Sequence, residues 1–364
     1  MKIIHFGIHD KENENSGDTV LFKVTQKVFE LKFPKVEWIN KTLWDRLTID
    51  DIDKINNSCD FVLIGGGGLL LKDQKGAEKS ISGWQFNCPT DLIERINKPI
   101  VVFGIGYNRF RDQEDFDDVF VENINALVKR AVFFGLRNNG SINKLRPYLK
   151  GQSKNKLTLQ CCPTVIYREV IKQNSKLKNN QKIISFNLAY DRPEKRFKNE
   201  KNQFTQIKEF LTMIIKKEYI LHICLHKSID KEIMKYFTQN ELKEIKIIDL
   251  SKSSYEEIVY YYSKIDLAIG MRGHSQMIPF GLGKNIISII SHEKIKYFLE
   301  DNDLTDYGVE INNLNLFDEL IRVFDFYEKN HKSQLRIISE NIYKNNIQTQ
   351  ENLNKISHLI GYEK

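Results

Sequence analysis

The residues with the richest chemistry follow a short apolar stretch, in the segment Arg272-Gly273-His274-Ser275. An arginine can fork two hydrogen bonds onto a carboxylate or a phosphate, and a histidine can donate or accept a proton near neutral pH. The apolar stretch predicts a strand and the residues after it predict a helix, whose first backbone amides also attract anions. We therefore expect an anion site in which Arg272 faces the ligand rather than the core. The alternative is that His274 only caps the helix.

Two other cations stand at the ends of predicted strands. Lys294 follows the next apolar run, in Ser291-His292-Glu293-Lys294, and Arg137 follows the run that ends in Gly135-Leu136. Because ligands of open parallel sheets bind at the carboxyl ends of the strands, either side chain could reach a ligand bound there. For both residues a solvated surface position is the alternative.

Two glycine-rich segments follow apolar runs in the first half of the chain. One holds four successive glycines, Gly65 to Gly68, and the other is Gly104-Ile105-Gly106. Glycine lets a ligand approach the backbone closely, so the two segments predict the floor of a pocket, with a flexible turn as the alternative. Neither segment has the Gly-Lys-Ser/Thr of a phosphate loop or the GxGxxG spacing, which disfavours ATP or NAD bound by those motifs.

A further candidate is Ser16-Gly17-Asp18, which follows the first predicted strand. Gly17 allows a tight turn before a helix, and the free amides there could hold an anion or a sugar hydroxyl. The alternative is an ordinary helix over Thr19–Leu31 with Asp18 as its N-cap.

The elements that must position these residues alternate between short apolar runs and amphipathic stretches, which is typical of a parallel sheet wrapped by helices. In the first half the predicted strands are Lys2–His9, Val36–Asn40, Asp60–Ile64, Pro99–Gly104, Ala131–Leu136 and Leu157–Cys162. In the second half they are Ile183–Ala189, Tyr219–Leu225, Ile245–Leu250, Leu267–Gly270 and Asn285–Ile290. The fold class is therefore α/β, with two doubly wound, Rossmann-like domains facing a cleft, and we expect ligands at the strand ends that border the cleft.

Domain boundaries are predicted from a change in composition. The stretch from Arg168 to Lys182 is polar and poor in apolar residues, which is typical of a linker. This predicts an N-terminal α/β domain over 1–167, a linker over 168–182 and a C-terminal α/β domain over 183–315. Residues 316–364 have a helical pattern without a further strand, and they predict one or two C-terminal helices.

Composition limits the classes of protein that fit. The chain has 364 residues, 41% of them hydrophobic, which excludes a disordered chain, and its net charge of +7 suggests anionic partners without requiring nucleic acid. No apolar run reaches the ~20 residues of a membrane span, and Met1 to Phe6 reads as a strand rather than an export signal, so we expect a cytoplasmic protein. The five cysteines lack a CxxC pair, which predicts buried thiols and no metal site.

Taken in chain order, these residues resemble the polysaccharide pyruvyl transferase family. The matching segments are Ser16-Gly17-Asp18, Gly65 to Gly68 with Leu69, Gly104-Ile105-Gly106, Arg137 with Ser141, Cys162-Pro163-Thr164, Arg272-x-His274 and Lys294. The family typically has Arg-Leu-His where this chain has Arg272-Gly273-His274. The resemblance extends over about the first 300 residues and implies a fold like that of the glycosyltransferases of the B type.

The resemblance also implies an activity. Members of the family use phosphoenolpyruvate as the donor and form a pyruvate ketal on a sugar of a cell-surface polysaccharide or of its lipid-linked precursor. We expect no separate cofactor and no metal. The implied donor site consists of Arg137, Arg272, Gly273, His274, Ser275 and Lys294. The implied acceptor site consists of Gly17, Asp18, Gly66, Gly67, Gly68 and Gly106.

Within these sites His274, Arg272 and Asp18 are the expected catalytic residues. His274 would protonate the enol carbon of the donor, Arg272 would hold its negative charges, and Asp18 would orient the acceptor sugar. The expected partners are a small-molecule donor and a saccharide acceptor, and no nucleic acid. A lipid-linked acceptor, with peripheral contact to the inner face of the cytoplasmic membrane, stays open, as does the oligomeric state.

Two other functions fit the same residues. One is a glycosyltransferase of the same architecture that uses a nucleotide sugar, with Arg272 and Lys294 on the diphosphate and His274 or Asp18 as the base. The other is a noncatalytic sugar- or anion-binding protein, which would release no phosphate with any acceptor. Binding of phosphoenolpyruvate compared with binding of nucleotide sugars separates the first two functions.

Overall fold

The structure, a computed structural model, describes residues 1–9, 15–73, 77–171 and 182–362. Within these ranges strands and helices alternate along the chain. The strands are β1 (Lys2–Gly7), β2 (Glu37–Thr42), β3 (Phe61–Leu70), β4 (Ile100–Tyr107), β5 (Ala131–Leu136), β6 (Leu157–Leu159), β7 (Ile183–Asn187), β8 (Ile220–Leu225), β9 (Lys246–Asp249), β10 (Leu267–Gly270), β11 (Asn285–Ile290) and β12 (Gly308–Glu310).

The helices between the strands vary from one turn to a very long terminal helix. They are α1 (Ser16–Lys32), α2 (Ile49–Ser58), α3 (Thr90–Arg95), α4 (Asp118–Arg130), α5 (Asn139–Leu145), α6 (Tyr167–Ile171), α7 (Pro193–Arg196), α8 (Glu200–Lys216), α9 (Gln239–Leu242), α10 (Tyr255–Lys264), α11 (Gly273–Gly281), α12 (Glu293–Asp301) and α13 (Leu316–Leu359). A 3-10 helix over Ser228–Tyr236 follows β8.

The first sheet has the strand order β2-β1-β3-β4-β5-β6, and all its strand pairs are parallel. The chain adds β2 on one side of β1 and then crosses to add β3 to β6 on the other side. The order of winding therefore reverses between β1 and β3. The carboxyl ends of these two strands are the place where a doubly wound sheet usually binds its ligand.

The second sheet repeats this plan with the order β12-β11-β10-β7-β8-β9, and it is also parallel throughout. Here the winding reverses between β7 and β10. The predicted fold class is confirmed in these respects: two doubly wound parallel sheets with flanking helices are present, and a C-terminal helix follows them.

Contacts within the chain divide it into two compact units. Of the described residues, the first unit contains 1–9, 21–73, 77–163 and 345–362, and the second contains 15–20, 164–171 and 182–344. Of the predicted linker, residues 172–181 lie outside the described residues, and residues 168–171 belong to α6. The first residues of α1 count with the second unit, and the last part of α13 counts with the first.

Two details of the strands differ from the sequence-based prediction. β3 and β4 continue through the glycine segments, beyond the predicted strand ends at Ile64 and Gly104, because Gly65 pairs with Phe103 and Gly67 with Ile105 before the register shifts. The edge strand β12 was not predicted, because three residues are too short for a pattern of alternation to be recognised.

Buried amides of α13 hydrogen-bond to the sheets of both units. In the second unit the Gln334 amide accepts from the Ile286 N–H at 3.3 Å and donates to the Ile286 carbonyl at 2.7 Å. In the first unit Asn352 donates to the Leu159 carbonyl of β6 at 2.9 Å. These bonds satisfy backbone groups that would otherwise be buried without partners.

The five cysteines are all buried free thiols, in agreement with the prediction. Among the described residues, no helix combines the length and apolar character that crossing a bilayer requires.

Candidate functional site

At the reversal point of the second sheet, β7 ends in Asn187, which holds the chain leaving β10. The Asn187 carbonyl accepts from the Met271 N–H at 3.0 Å, and its side-chain oxygen accepts from the Arg272 N–H at 3.2 Å. Both bonds follow from the adjacency of β7 and β10, which only the strand order establishes. The Arg272 backbone is thereby fixed at the position where this type of sheet binds ligands.

Arg272 itself is buried in ion pairs, contrary to the expectation that it faces only the ligand. Its Nε and Nη2 donate to the two carboxylate oxygens of Asp230 at 2.7 and 2.5 Å, and Nη2 lies 2.9 Å from Asp191. Burial opposes the charge of the guanidinium, but the two carboxylates outweigh it and raise the pKa of Arg272. The bonds to Asp230 use one edge of the guanidinium, which orients the rest of the group.

Asp191 joins Arg272 to a second buried arginine. Arg196 donates through Nη2 to Asp191 and through Nη1 to the Ser291 hydroxyl at 2.8 Å. Burial would raise the pKa of Asp191, but Arg272 and Arg196 together hold it well below its usual range. Asp191 therefore stays ionised and links the loop after β7 to the turns after β10 and β11.

His274 lies half-buried in the first turn of α11, against the backbone of Gly17. A Cβ at Gly17 would be 2.5 Å from His274 Nδ1, so only glycine allows this approach. Gly17 and Asp18 thus belong to the second unit with His274, and not to the first unit, where the predicted acceptor site was expected. The N-cap prediction for Asp18 is also wrong, because α1 begins at Ser16 and the Asn15 side chain accepts from the Gly17 N–H at 3.3 Å.

The start of α11 is not capped by the side chain of its N-cap residue. Arg272 occupies the N-cap position without capping the helix with its side chain, and the Ser275 hydroxyl donates to the Arg272 carbonyl at 2.8 Å. A Cβ at Gly273 would lie 3.8 Å from Lys294 Cε, which is an ordinary contact. Glycine is thus required here neither by the backbone nor by crowding, and it leaves space between the helix start and the half-buried Lys294.

His226 is a residue of this site that the sequence analysis did not select. It follows β8 directly and is fully buried; its N–H donates to Asp230 at 3.2 Å, and its carbonyl accepts from the Ser16 N–H at 3.2 Å. Its Nε2 contacts the Tyr262 hydroxyl, and its Nδ1 has no hydrogen-bond partner among the described residues. Burial, with Arg272 and His274 nearby, holds the pKa of His226 well below its usual value. The available signal was a histidine immediately after a predicted strand.

The carboxyl end of the first sheet is made largely of glycine backbone. Gly66 and Gly67 have φ angles of +79° and +107°, which favour glycine, and both are buried. A Cβ at Gly66 would lie 2.9 Å from Leu21 Cγ. Gly68 is half-buried, so it is the member of the run that has surface for a ligand.

Arg137 lies in the first unit, where its guanidinium packs against the backbone of Gly106. A Cβ at Gly106 would clash with Arg137 Nε, and the Arg137 N–H donates to the Ile105 carbonyl at 2.9 Å. The structure therefore brings Arg137 together with a predicted acceptor residue. The other predicted donor residues, Arg272 to Ser275 and Lys294, are together in the second unit.

No group of three His, Cys, Asp or Glu side chains within the described ranges is arranged to hold a metal ion. The charged groups of the second unit are paired with one another instead. A buried pair of arginines, a half-buried histidine and lysine, and an uncapped helix start surround one reversal point. This arrangement is suited to a small ligand with more than one negative charge.

The two doubly wound parallel sheets with flanking helices define an α/β protein with a glycosyltransferase B-like fold. A sequence profile of the polysaccharide pyruvyl transferase family matches residues 15–293. The chain belongs to this family, and its activity is that of a transferase in polysaccharide biosynthesis. A search of proteins with curated descriptions found no sequence match.

Solved structures support the fold. One is the MnaA protein of S. aureus in a co-structure with UDP, which is 13% identical to this chain. The alignment covers 100% of this chain and 97% of the MnaA chain, with a TM-score of 0.60. The UDP-GlcNAc 2-epimerase of Neisseria meningitidis, bound to UDP-GlcNAc, is 13% identical, with coverage of 98% and 99% and a TM-score of 0.56. At these identities the likeness concerns the fold.

Proposed function

We propose that the protein transfers the pyruvyl group of phosphoenolpyruvate to a saccharide and forms a pyruvate ketal. The observation that carries this proposal is the convergence of Arg272, His274 and Lys294 on the reversal point of the second sheet. Membership of the pyruvyl transferase family supports the same reaction and disfavours a noncatalytic binding protein.

Phosphoenolpyruvate carries a carboxylate and a phosphate, and both need fixed hydrogen-bond donors. Asp230 fixes one edge of Arg272 by two bonds, so the guanidinium meets the donor already oriented. The first amides of α11 and the Lys294 ammonium supply further positive charge. Gly273 leaves the space through which the donor approaches these amides.

His274 is the proposed general acid. Its imidazolium gives a proton to the methylene carbon of the enol, which makes the neighbouring carbon an oxocarbenium-like electrophile. One sugar hydroxyl forms a C–O bond to that carbon, the bond to the phosphate oxygen breaks, and a second hydroxyl closes the ketal. Of the two hydroxyl protons, one restores the imidazolium of His274, and the other passes through the Asp18 carboxylate to the departing phosphate. The products are the ketal and inorganic phosphate.

Asp18 is the proposed base for the attacking hydroxyl. It lies in the first turn of α1, where Asn15 Nδ2 donates to its carboxylate at 2.7 Å, and its charge contributes to the raised pKa of Arg272. A carboxylate near Arg272 and His274 could accept the hydroxyl proton while the acceptor attacks. In this proposal Gly17 and Asp18 act beside the donor, and Gly68 belongs to the acceptor side.

The decisive experiment measures phosphate release from phosphoenolpyruvate with a panel of methyl pyranosides. Each sugar is paired with its 4,6-O-benzylidene derivative, in which the diol that would form a six-membered ketal is blocked. We expect release with at least one free diol and none with its blocked partner. Calorimetry with phosphoenolpyruvate alone tests donor binding without any acceptor. An inert calorimetric trace would contradict the proposal.

A nucleotide sugar is the second candidate donor. The proteins of S. aureus and Neisseria meningitidis with this fold hold UDP or UDP-GlcNAc in their structures, and the space at Gly273 would also admit a diphosphate. UDP-GlcNAc and phosphoenolpyruvate therefore belong in one thermal-shift panel. Stabilisation by UDP-GlcNAc alone would favour this candidate.

We also propose that the acceptor belongs to a surface polysaccharide or to its lipid-linked precursor, met at the inner face of the cytoplasmic membrane. The net charge of +7 supports contact with an anionic surface. Sedimentation with vesicles containing phosphatidylglycerol, compared with neutral vesicles, tests this contact. Equal sedimentation with both vesicle types would contradict it.

A further inference from the structure

An aromatic side chain stands at the carboxyl end of the first sheet. Trp44 follows β2 by two residues and is half-buried, with its buried part packed on the core of the first unit. A fully buried tryptophan is present elsewhere in the same unit, Trp84, whose indole donates to Asn123 at 2.8 Å. Trp44 therefore differs from Trp84 in being only half-buried.

The position of Trp44 is fixed by buried amides. Asn87 donates to the Trp44 carbonyl at 2.7 Å, and the Asn87 N–H donates to the Leu43 carbonyl at 3.1 Å. The indole N–H donates to the Gln85 side chain at 3.4 Å. A ring held in this way loses little conformational entropy when a ligand stacks on it.

Gln85 also connects Trp44 to the glycine run. Its Nε2 donates to the Gly68 carbonyl at 2.9 Å, and the Gln85 side chain is itself buried. Asn108 also lies against Gly68, because a Cβ on the glycine would be 2.6 Å from Asn108 Cγ. One buried glutamine thus links a half-buried ring to a half-buried glycine, and a half-buried amide lies against the same glycine.

This combination suits a neutral polyhydroxylated ligand. One face of a pyranose ring presents C–H groups, which pack on an aromatic face, while its hydroxyls need amide and backbone partners. We propose that Trp44, Gly68 and Asn108 form the acceptor subsite and that Trp44 stacks on the C–H face of the acceptor pyranose. The inference rests on the proposed function in taking the acceptor to be a saccharide.

The chain offers a matched control for this proposal. Trp38 lies on the same strand, β2, and is also half-buried, but its indole donates to Glu30 at 2.8 Å and its ring contacts His5 and Phe29. Replacement of Trp38 removes a similar ring without touching Gln85 or Gly68. Since the chain has three tryptophans, Trp38→Phe also leaves Trp44 as the one that is not fully buried.

The test titrates Trp38→Phe protein with methyl gluco-, galacto- and mannopyranosides and their 2-acetamido forms while tryptophan emission is recorded. We expect at least one pyranoside to change the emission, and Trp44→Ala to weaken its binding by about tenfold. Trp44→Phe should weaken it by only a few fold, and the affinity for phosphoenolpyruvate should not change in either variant.

The outcomes separate this inference from the proposed function. Unchanged pyranoside affinity in Trp44→Ala, or no emission change with any pyranoside, would overturn the inference even if phosphoenolpyruvate is turned over. An emission change with UDP but not with pyranosides would overturn it as well, because the ring would then stack on a base. If Trp44→Ala does not fold, the emission titration and Trp44→Phe still decide. Saccharide binding without turnover would uphold the subsite and contradict pyruvyl transfer.

Discussion

The carboxyl ends of the two sheets have the same strand topology but are formed by different kinds of residue. In the first sheet the reversal point is lined by Gly66 to Gly68, against which the side chains of Leu21 and Asn108 pack. In the second sheet it is lined by two arginines, Arg272 and Arg196, and two aspartates, Asp230 and Asp191, whose charges balance. The glycines of the first sheet allow a bulky neutral ligand to approach the backbone closely. The ion pairs of the second sheet hold charged groups in a fixed orientation. One winding order thus places two chemically different surfaces at the carboxyl ends of its strands.

The largest expected effect comes from removing the side chain of Arg272 and with it the buried ion pairs of the second unit. Arg272→Ala leaves the fully buried Asp230 without its main partner, which should lower the free energy of unfolding by about 3–5 kcal/mol and abolish donor binding. Urea unfolding and calorimetry with phosphoenolpyruvate measure the two effects. Loss of donor binding with unchanged stability would show that Asp230 does not depend on Arg272.

Arg322 provides the control for this change. It also donates through Nε and Nη2 to one carboxylate, Glu319, but the pair is exposed. Arg322→Ala should cost no more than about 1 kcal/mol. Equal losses in both variants would mean that burial of the Arg272 pair has no energetic weight.

The second effect concerns the proton. His274→Gln should reduce turnover by on the order of 10²-fold or more and leave donor affinity within a few fold, because glutamine hydrogen-bonds but does not exchange a proton near neutral pH. Single-turnover rates and calorimetry separate rate from affinity. Equal loss of both would instead make His274 an anion ligand.

The third effect tests which glycine next to the charged residues of the second unit is needed for turnover. Gly17→Ala places a Cβ 2.5 Å from His274 Nδ1 and should displace the ring, with a loss in turnover of about tenfold. Gly273→Ala is the matched control, since its Cβ meets nothing closer than 3.8 Å. We expect this variant to keep the stability of the protein and to lose donor affinity. Turnover unaffected by Gly17→Ala would remove the proposed support of His274.

The smallest effect is a slope of stability against pH, which has one source in the first unit, His5, and two in the second, His226 and His222, whose pKa burial lowers to about 4. Burial lowers the pKa of His5 to about 3 and that of His226 well below 6.5. Below pH 6.5 the unfolded chain binds protons that the folded chain does not, so stability is lost as pH falls, by at most about 1.4 kcal/mol per pH unit for each histidine. Stability should be free of this term above pH 6.5.

Urea unfolding between pH 7 and 4.5 measures this slope. His5→Gln and His226→Gln should each flatten it, whatever they do to the stability at neutral pH, and the exposed His9 supplies the control substitution. An unchanged slope in His226→Gln would mean that this ring is charged in the folded protein.

The sequence patterns predicted the strands and the residues that follow them, because apolar alternation and glycine are local signals. They did not reveal that Asp230 pairs with Arg272, since 42 positions separate the two and only the adjacency of β8, β7 and β10 brings them together. For the same reason Arg137 and Asp18 were each assigned to the other set of residues. Trp44 was not selected, because half-burial of a tryptophan cannot be recognised from its neighbours in the chain.

The hydrogen bond between Asn352 and β6 has a consequence for the order in which the protein is made. The Leu159 carbonyl leaves the ribosome 193 residues before the amide that satisfies it. At about 5–20 residues per second this interval is on the order of ten seconds or more. During that time the outer strand of the first sheet has an uncovered edge, which is the kind of surface that other unfinished chains can join. We therefore expect more association between unfinished chains when many ribosomes translate one messenger than when the protein refolds in dilute solution.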